Sequence, residues 1–346
     1  MNDLRREPLQ SYGVREADRP AAPGTRYRLF GLHVDAYPAV PGLVPFESDS
    51  PPDVVYRLEA IDNIRSAADA PTGAPWYESE WRDSLTGRPG LRIYRSAIDG
   101  SFLFVYADGV QFLIQAAGDR VVGRMPPTAT IADMATYLTG PVLGFLLRIR
   151  GVVSLHASVI EVADSAVAFV GDAGAGKSTT AAMFVQLGYK VITEDVAALS
   201  SEGGRLMVRP GCAKIALCPD AVSLLYGSSE ALPHVSPGWD KRRLDLTARG
   251  AFSDRPLPLS AVYLLEPRRA APAAPCVSSI SLRQAMVHLL GNIYGNQLLH
   301  EELRTSELDT IHHLAAAVPI KTATAEQDGT SLGKFCSLIL DDLRYS

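Results

Sequence analysis

From Tyr27 to about Val122 the apolar and polar positions alternate over short runs: YRLFGLHV, DVVYRLEAI, LRIYRS, SFLFVY and VQFLIQ. A period of two predicts strands. The last two runs meet across Ala107-Asp108-Gly109. Asp-Gly supplies the positive backbone angles of a tight turn, so this pair is expected to form a hairpin. After Gly151 the pattern changes. Two apolar strands, LHASVIEV and SAVAFVG, precede STTAAMFVQLG, which has helical spacing and ends on Gly188, and a further strand, YKVIT, follows at once. A strand, loop, helix, strand unit of this kind places ligands at the carboxyl ends of its strands. Further on, strands are expected near Ala213–Leu217 and Ala261–Leu265, then an exposed Pro/Ala/Arg connector over Pro267–Pro275. Helices follow at about Ser281–Leu299, Ser306–Ala317 and Ser331–Leu343, with a short strand at Pro319–Lys321.

The chain has 346 residues and is 47% hydrophobic, enough for two cores. The change of pattern divides it into a flexible tail (1–24), a strand-rich domain ending in an apolar helix (25–150) and a second domain (151–346). A net charge of -5 gives no electrostatic reason to expect nucleic acid. The apolar stretch Ile131–Ile149 is interrupted by Gly140-Pro141 and carries Arg148, so it reads as a buried, kinked helix and not a bilayer span. The polar start of the chain lacks the apolar run of a secretory signal. Cys212, Cys218, Cys276 and Cys336 show neither a close pair nor the density of a disulfide scaffold. Together these features predict a cytoplasmic protein with reduced thiols.

The chemistry concentrates after the boundary. Gly171-Asp172-Ala173-Gly174-Ala175-Gly176-Lys177-Ser178 fits G-x-x-x-x-G-K-[ST], with a strand before it and a helix after it. Glycines let backbone N–H groups approach phosphate oxygens, and the helix starting near Lys177 aims its positive end at the same anion. The pattern assigns Lys177 to the β- and γ-phosphates of ATP and the Ser178 hydroxyl to Mg²⁺. Glu194 and Asp195 end the next strand, YKVIT. If that strand lies beside the strand of the loop, one carboxylate can serve the metal and the other a substrate proton. A hairpin of LHASVIEV with SAVAFVG would return His156 to the mouth of the loop, to touch phosphate or orient a carboxylate; a buried structural histidine is the competing reading. Lys241, in GWDKRRLDL, is a weaker phosphate or substrate candidate beside its reading as a Lys/Arg surface turn.

The run LHAS, then GDAGAGKST, VITEDVAAL and PGCAKIALCPDA, resembles the carboxyl-terminal catalytic domain of the HPr serine kinase/phosphorylase family. It is most similar to the HPr-kinase-like proteins of peptide-modification clusters, including kinases of lasso peptide precursors. The resemblance spans about Gly151 to Asp342. It implies a mixed α/β phosphate-loop kinase domain of the type shared with phosphoenolpyruvate carboxykinases, preceded by a smaller strand-rich α+β domain. It places the family's histidine on His156, its loop on Gly171 to Thr179 and its acidic pair on Glu194 and Asp195. The first acidic position is the family's proposed base and is Glu194 here where the family has Asp. MVRPGCAKIAL, which aligns with the signature of the bifunctional enzymes, has no metal-binding glutamate, so kinase activity is expected ahead of phosphorylase activity.

The function expected is therefore an ATP- and Mg²⁺-dependent kinase acting on a serine or similar hydroxyl of a peptide or small protein. Neither nucleic acid nor membrane is an expected partner, and a homo-oligomer stays open. A nucleotide-binding regulator and a small-metabolite kinase are the competing classes. The carboxylate at Glu194 favours an enzyme, because a pure binding module has little use for it beside a γ-phosphate.

Overall fold

The computed structural model describes residues 24–60, 73–84, 86–271, 273–298 and 301–344, so the tail expected over 1–24 lies, Gly24 apart, outside the described residues. The chain forms two compact units that part between Ala135 and Thr136, with Leu29–Gly31 and Gly42–Val44 counted to the second.

The first unit is one eight-stranded sheet. Its strands are β1 (Thr25–Leu29), β2 (Leu32–Tyr37), β3 (Val54–Ala60), β4 (Tyr77–Glu78), β5 (Leu91–Arg95), β6 (Phe102–Tyr106), β7 (Gln111–Ile114) and β8 (Arg120–Met125), in the order β1-β2-β3-β8-β7-β6-β5-β4. The expected single run YRLFGLHV breaks into two strands because Phe30 (φ 52°) and Gly31 (φ 82°) both turn left-handed. The Asp-Gly hairpin forms: β6 and β7 pair antiparallel with Phe104 opposite Phe112, and the Asp108 carboxylate accepts the Val110 N–H at 3.0 Å. Ile131–Ile149 is a continuous helical run, α1 (Ile131–Tyr137), a π-turn (Leu138–Val142) and α2 (Leu143–Ile149). Pro141 lies inside the π-turn. Having no N–H to give, it widens the ladder locally without ending it.

In the second unit, β9 (Ser154–Val162), β10 (Ser165–Val170), α3 (Lys177–Gln186), β11 (Lys190–Thr193), β12 (Val196–Glu202), β13 (Arg205–Val208), β14 (Lys214–Leu217) and α4 (Pro219–Tyr226) come first. They are followed by β15 (His234–Ser236), β16 (Trp239–Asp245), β17 (Leu257–Arg269), β18 (Cys276–Ser279), α5 (Leu282–Gly291), α6 (Glu301–Ala317), β19 (Ile320–Glu326) and α7 (Leu332–Arg344). The main sheet is mixed, in the order β10-β9-β12-β13-β17-β19-β18, with β11 also on β9 and β10 also parallel to β17. A second, three-stranded sheet has the order β14-β16-β15.

The alternation of β10 explains how this sheet is buried on both faces. Ala166, Ala168 and Val170 enter one core with α5 and α6, while Val167 and Phe169 enter the other with α3 and α7. Phe169 stacks on Phe184 of α3 at 5.4 Å between ring centroids, which fixes the helix that follows the glycine loop.

Three expectations change. The helix expected over Ser281–Leu299 ends at Gly291. The expected connector at Pro267–Pro275 is partly strand, since β17 continues through Arg269 alongside β19. YKVIT, as β11, pairs with β9 and not with the loop strand β10. Because β9 is antiparallel to both, β10 and β11 run parallel to each other on its two sides, and their carboxyl ends still reach the same edge. Among the described residues no helix is long and apolar enough to cross a membrane, a statement that leaves membrane strands aside. All four cysteines are free thiols.

Candidate active site

The edge where β10 and β11 end carries the loop, the acidic pair and His156. Gly171 follows β10, and a Cβ there would meet the Leu265 carbonyl oxygen at 3.0 Å and the Ala175 Cβ at 3.1 Å, so glycine allows the strand to turn tightly beside β17. Gly176 is the residue before α3 and sits at φ 100°, with no side-chain cap on the helix. The first N–H groups of α3 are thus left for an anion. Lys177 is buried and donates from Nζ to the Gly171 carbonyl at 2.6 Å and to the Asp172 carbonyl at 3.0 Å. Burial depresses its pKa, against the opposing pull of Asp195, Glu194 and Asp172.

The Ser178 hydroxyl donates to Oε1 of Glu194 at 2.6 Å, joining the loop directly to the acidic pair. Asp195 has a left-handed backbone (φ 70°), which turns the chain sharply from β11 into β12. Aspartate tolerates this conformation better than most residues, and the turn places both carboxylates at one edge. Tyr294 donates its hydroxyl to Oδ2 of Asp195 at 3.0 Å, and His156 Nε2 lies 3.3 Å from Oδ1. His156 is held by register: it pairs with Val196 across β9 and β12, and its N–H donates to the Asn292 carbonyl. His156 thus lies beside the Asp195 carboxylate and also lines the cavity at this edge.

Burial raises the Glu194 pKa, and the adjacent Asp195 charge raises it further; the Ser178 hydroxyl, Lys241 and the Ala216 N–H act against this. Burial also opposes ionisation of Asp195, but His156, Tyr294 and Lys241 outweigh it and its pKa is lowered. The two neighbouring carboxylates are thereby shifted in opposite directions, Glu194 up and Asp195 down.

His156, Lys177, Ser178, Glu194 and Asp195 line a cavity of about 450 Å³, within the range that holds a small-molecule ligand. Thr179, Gly174, Ala173 and Lys241 also line it. Lys241 stands in β16, not in a surface turn. α4 also lines the cavity, through Asp220 and Leu224. Arg268, from the end of β17, completes the rim. Tyr294, Asp220 and Arg268 escape a reading of the sequence. The only local signal for Arg268 was its place just past a long apolar strand, and the adjacent Pro267 disguised it as a connector.

Among the described residues no group of three or more His, Cys, Asp or Glu side chains gathers as a metal site. The donors at the loop are all oxygen: the Ser178 hydroxyl and the Glu194 and Asp195 carboxylates. That set suits Mg²⁺, which is characteristically held by one or two carboxylates together with substrate phosphates.

No protein-family model matches the chain. No curated protein matches it either. Among solved structures, it is similar to the HPr(Ser) kinase/phosphatase from Coxiella burnetii, with 13% identity over 56% of this chain and 91% of that one. The TM-score of that match is 0.32, too low to decide fold or activity.

Proposed function

We propose that this chain is a kinase that transfers the γ-phosphoryl group of ATP to a serine or similar hydroxyl on a peptide or small protein. The observation that carries the reading is the bond from Ser178, at the end of the glycine loop, to Glu194, a half-buried carboxylate. A phosphate loop alone serves binding as well as chemistry, whereas a proton acceptor at its γ-phosphate end has a use when a hydroxyl must be activated.

In this reading the N–H groups at the start of α3 and Lys177 hold the phosphate chain, and Lys177 leaves its two loop carbonyls to do so. Glu194 takes the proton of the acceptor hydroxyl as its oxygen forms a bond to the γ-phosphorus. The bond from that phosphorus to the bridging oxygen breaks, and ADP departs with the electron pair. Asp195, oriented by His156 and Tyr294, and Ser178 would hold Mg²⁺. When bound, that ion supplies neutralisation of phosphate charge. A peptide acceptor, a lasso peptide precursor in particular, follows from the family resemblance of the motifs.

The test is incubation of the purified protein with γ-labelled ATP, Mg²⁺ and a serine-containing peptide library, read by mass spectrometry. Phosphopeptide that is absent with Lys177→Ala supports the kinase. Hydrolysis of ATP with no acceptor labelled, at any peptide concentration, favours the regulator class and sinks the proposal.

A further inference from the structure

Arg268 is the cavity cation that neither the loop motif nor the acidic pair explains. Lys177 rests on loop carbonyls, and Lys241 acts electrostatically on Glu194 and Asp195. Arg268, by contrast, is exposed at the rim and has no hydrogen bond or ion pair among the described residues. Its neighbour Arg269 pairs with Glu266 at 3.4 Å, so consecutive arginines at the end of β17 differ in use.

The fold sets where Arg268 stands. β10 and β17 are parallel, with Val170 beside Leu264, so the glycine loop and the end of β17 leave the sheet side by side. β17 then runs past the loop far enough that Arg268 Nη2 comes within 3.8 Å of where a Cβ on Gly176 would sit. Gly176 precedes the uncapped start of α3, where N–H groups face an anion. A guanidinium at that point has its fork of donors beside the phosphate path and nothing among the described residues to satisfy it.

Charge points the same way. The cationic side chains lining the cavity, Lys177, Lys241 and Arg268, are matched by Glu194, Asp195 and Asp220. Arg268 thus brings the formal charge of the lining from negative to balanced, which favours a polyphosphate. We infer that Arg268 is a phosphate-binding residue of the nucleotide site, gripping the phosphate chain from the β17 side. This inference rests on the nucleotide-binding part of the proposed function and does not depend on which acceptor is used. Arginine suits the place better than lysine because its planar fork donates two parallel bonds to phosphate oxygens.

The test uses calorimetric titration of ATP, ADP and inorganic tripolyphosphate into the parent protein, Arg268→Ala and Arg268→Lys, with circular dichroism on each. Loss of a hydrogen-bonded charge contact predicts that Arg268→Ala weakens all three ligands by ~10- to 100-fold with an unchanged spectrum. Arg268→Lys should recover part of the loss. Parent-like affinity in Arg268→Ala overturns the inference. So does a loss for ATP and ADP with tripolyphosphate unaffected, since that pattern assigns Arg268 to the base or ribose. If the parent binds all three ligands through Arg268 yet transfers no phosphate, the kinase reading fails and this one stands.

Discussion

Glu194→Gln isolates the proposed base from its structural surroundings. Glutamine keeps the length of the side chain and an oxygen that can accept the Ser178 hydroxyl, whose bond to Glu194 Oε1 is 2.6 Å. The Ala216 N–H, which interacts with the same carboxylate, also keeps an acceptor. The cradle therefore persists, and only the capacity to take a proton is removed. General-base catalysis contributes ~10²- to 10⁴-fold, equivalent to about 3–5 kcal/mol of barrier, and transfer should fall by that factor. Nucleotide affinity should change in the other direction. Removing a carboxylate beside the phosphates relieves repulsion, so metal-free ATP should bind at least as tightly as to the parent. Glu194→Ala is the contrast, because it also strips Ser178 of its partner and costs about 1 kcal/mol more. Single-turnover transfer of labelled phosphate measures the first quantity, and calorimetry the second. Parent-rate transfer in Glu194→Gln would refute the assignment and leave proton loss to another group. Weaker ATP binding in the same variant would show that Glu194 supports the nucleotide site rather than the chemistry.

Four other outcomes are expected. Lys177→Ala should abolish nucleotide turnover with no change in circular dichroism, since among the described residues its ammonium bonds to loop carbonyls and its charge serves phosphate oxygens; unchanged turnover removes the loop from the mechanism. Ser178→Ala should raise the Mg²⁺ concentration needed for half-maximal activity more than it weakens metal-free ATP binding, and an identical Mg²⁺ titration in parent and variant contradicts the assignment. Because burial raises the folded-state pKa of Glu194, the folded protein binds more protons than the unfolded one between the two values, and this residue's contribution to stability falls as pH rises through that window; Glu194→Gln should therefore melt no lower than the parent at neutral pH without ligand, and a clear drop in melting temperature opposes this. Arg148 and Glu307, with side chains 6% and 8% exposed, pair at 2.5 Å, so Arg148→Met should cost ~3–5 kcal/mol in urea unfolding by stranding a buried carboxylate, with much of it restored by adding Glu307→Leu.

The glycine loop was legible in the sequence because all of its parts are contiguous: an apolar strand, glycines at the turning points, Lys177 and Ser178 at the start of a helix. The acidic pair and His156 were legible for a similar reason, each lying at the end of a strand near the loop in the chain. What brings them together is nonlocal. The local pattern suggested β11 beside β10, yet β9 lies between them, and Glu194 reaches Ser178 because both strands run antiparallel to that shared neighbour. The same holds for Tyr294 on Asp195 and for Arg268 beside Gly176. No period of two or of 3.6 encodes such meetings, because periodicity reports which face of an element is apolar and not which element it faces. The sequence by itself determined the phosphate-loop motif, the strand character of both halves and the candidate base. Strand order decided that β17 overruns the loop, that His156 comes within 3.3 Å of Asp195, and that the two adjacent carboxylates meet Ser178 on one side and His156 and Tyr294 on the other.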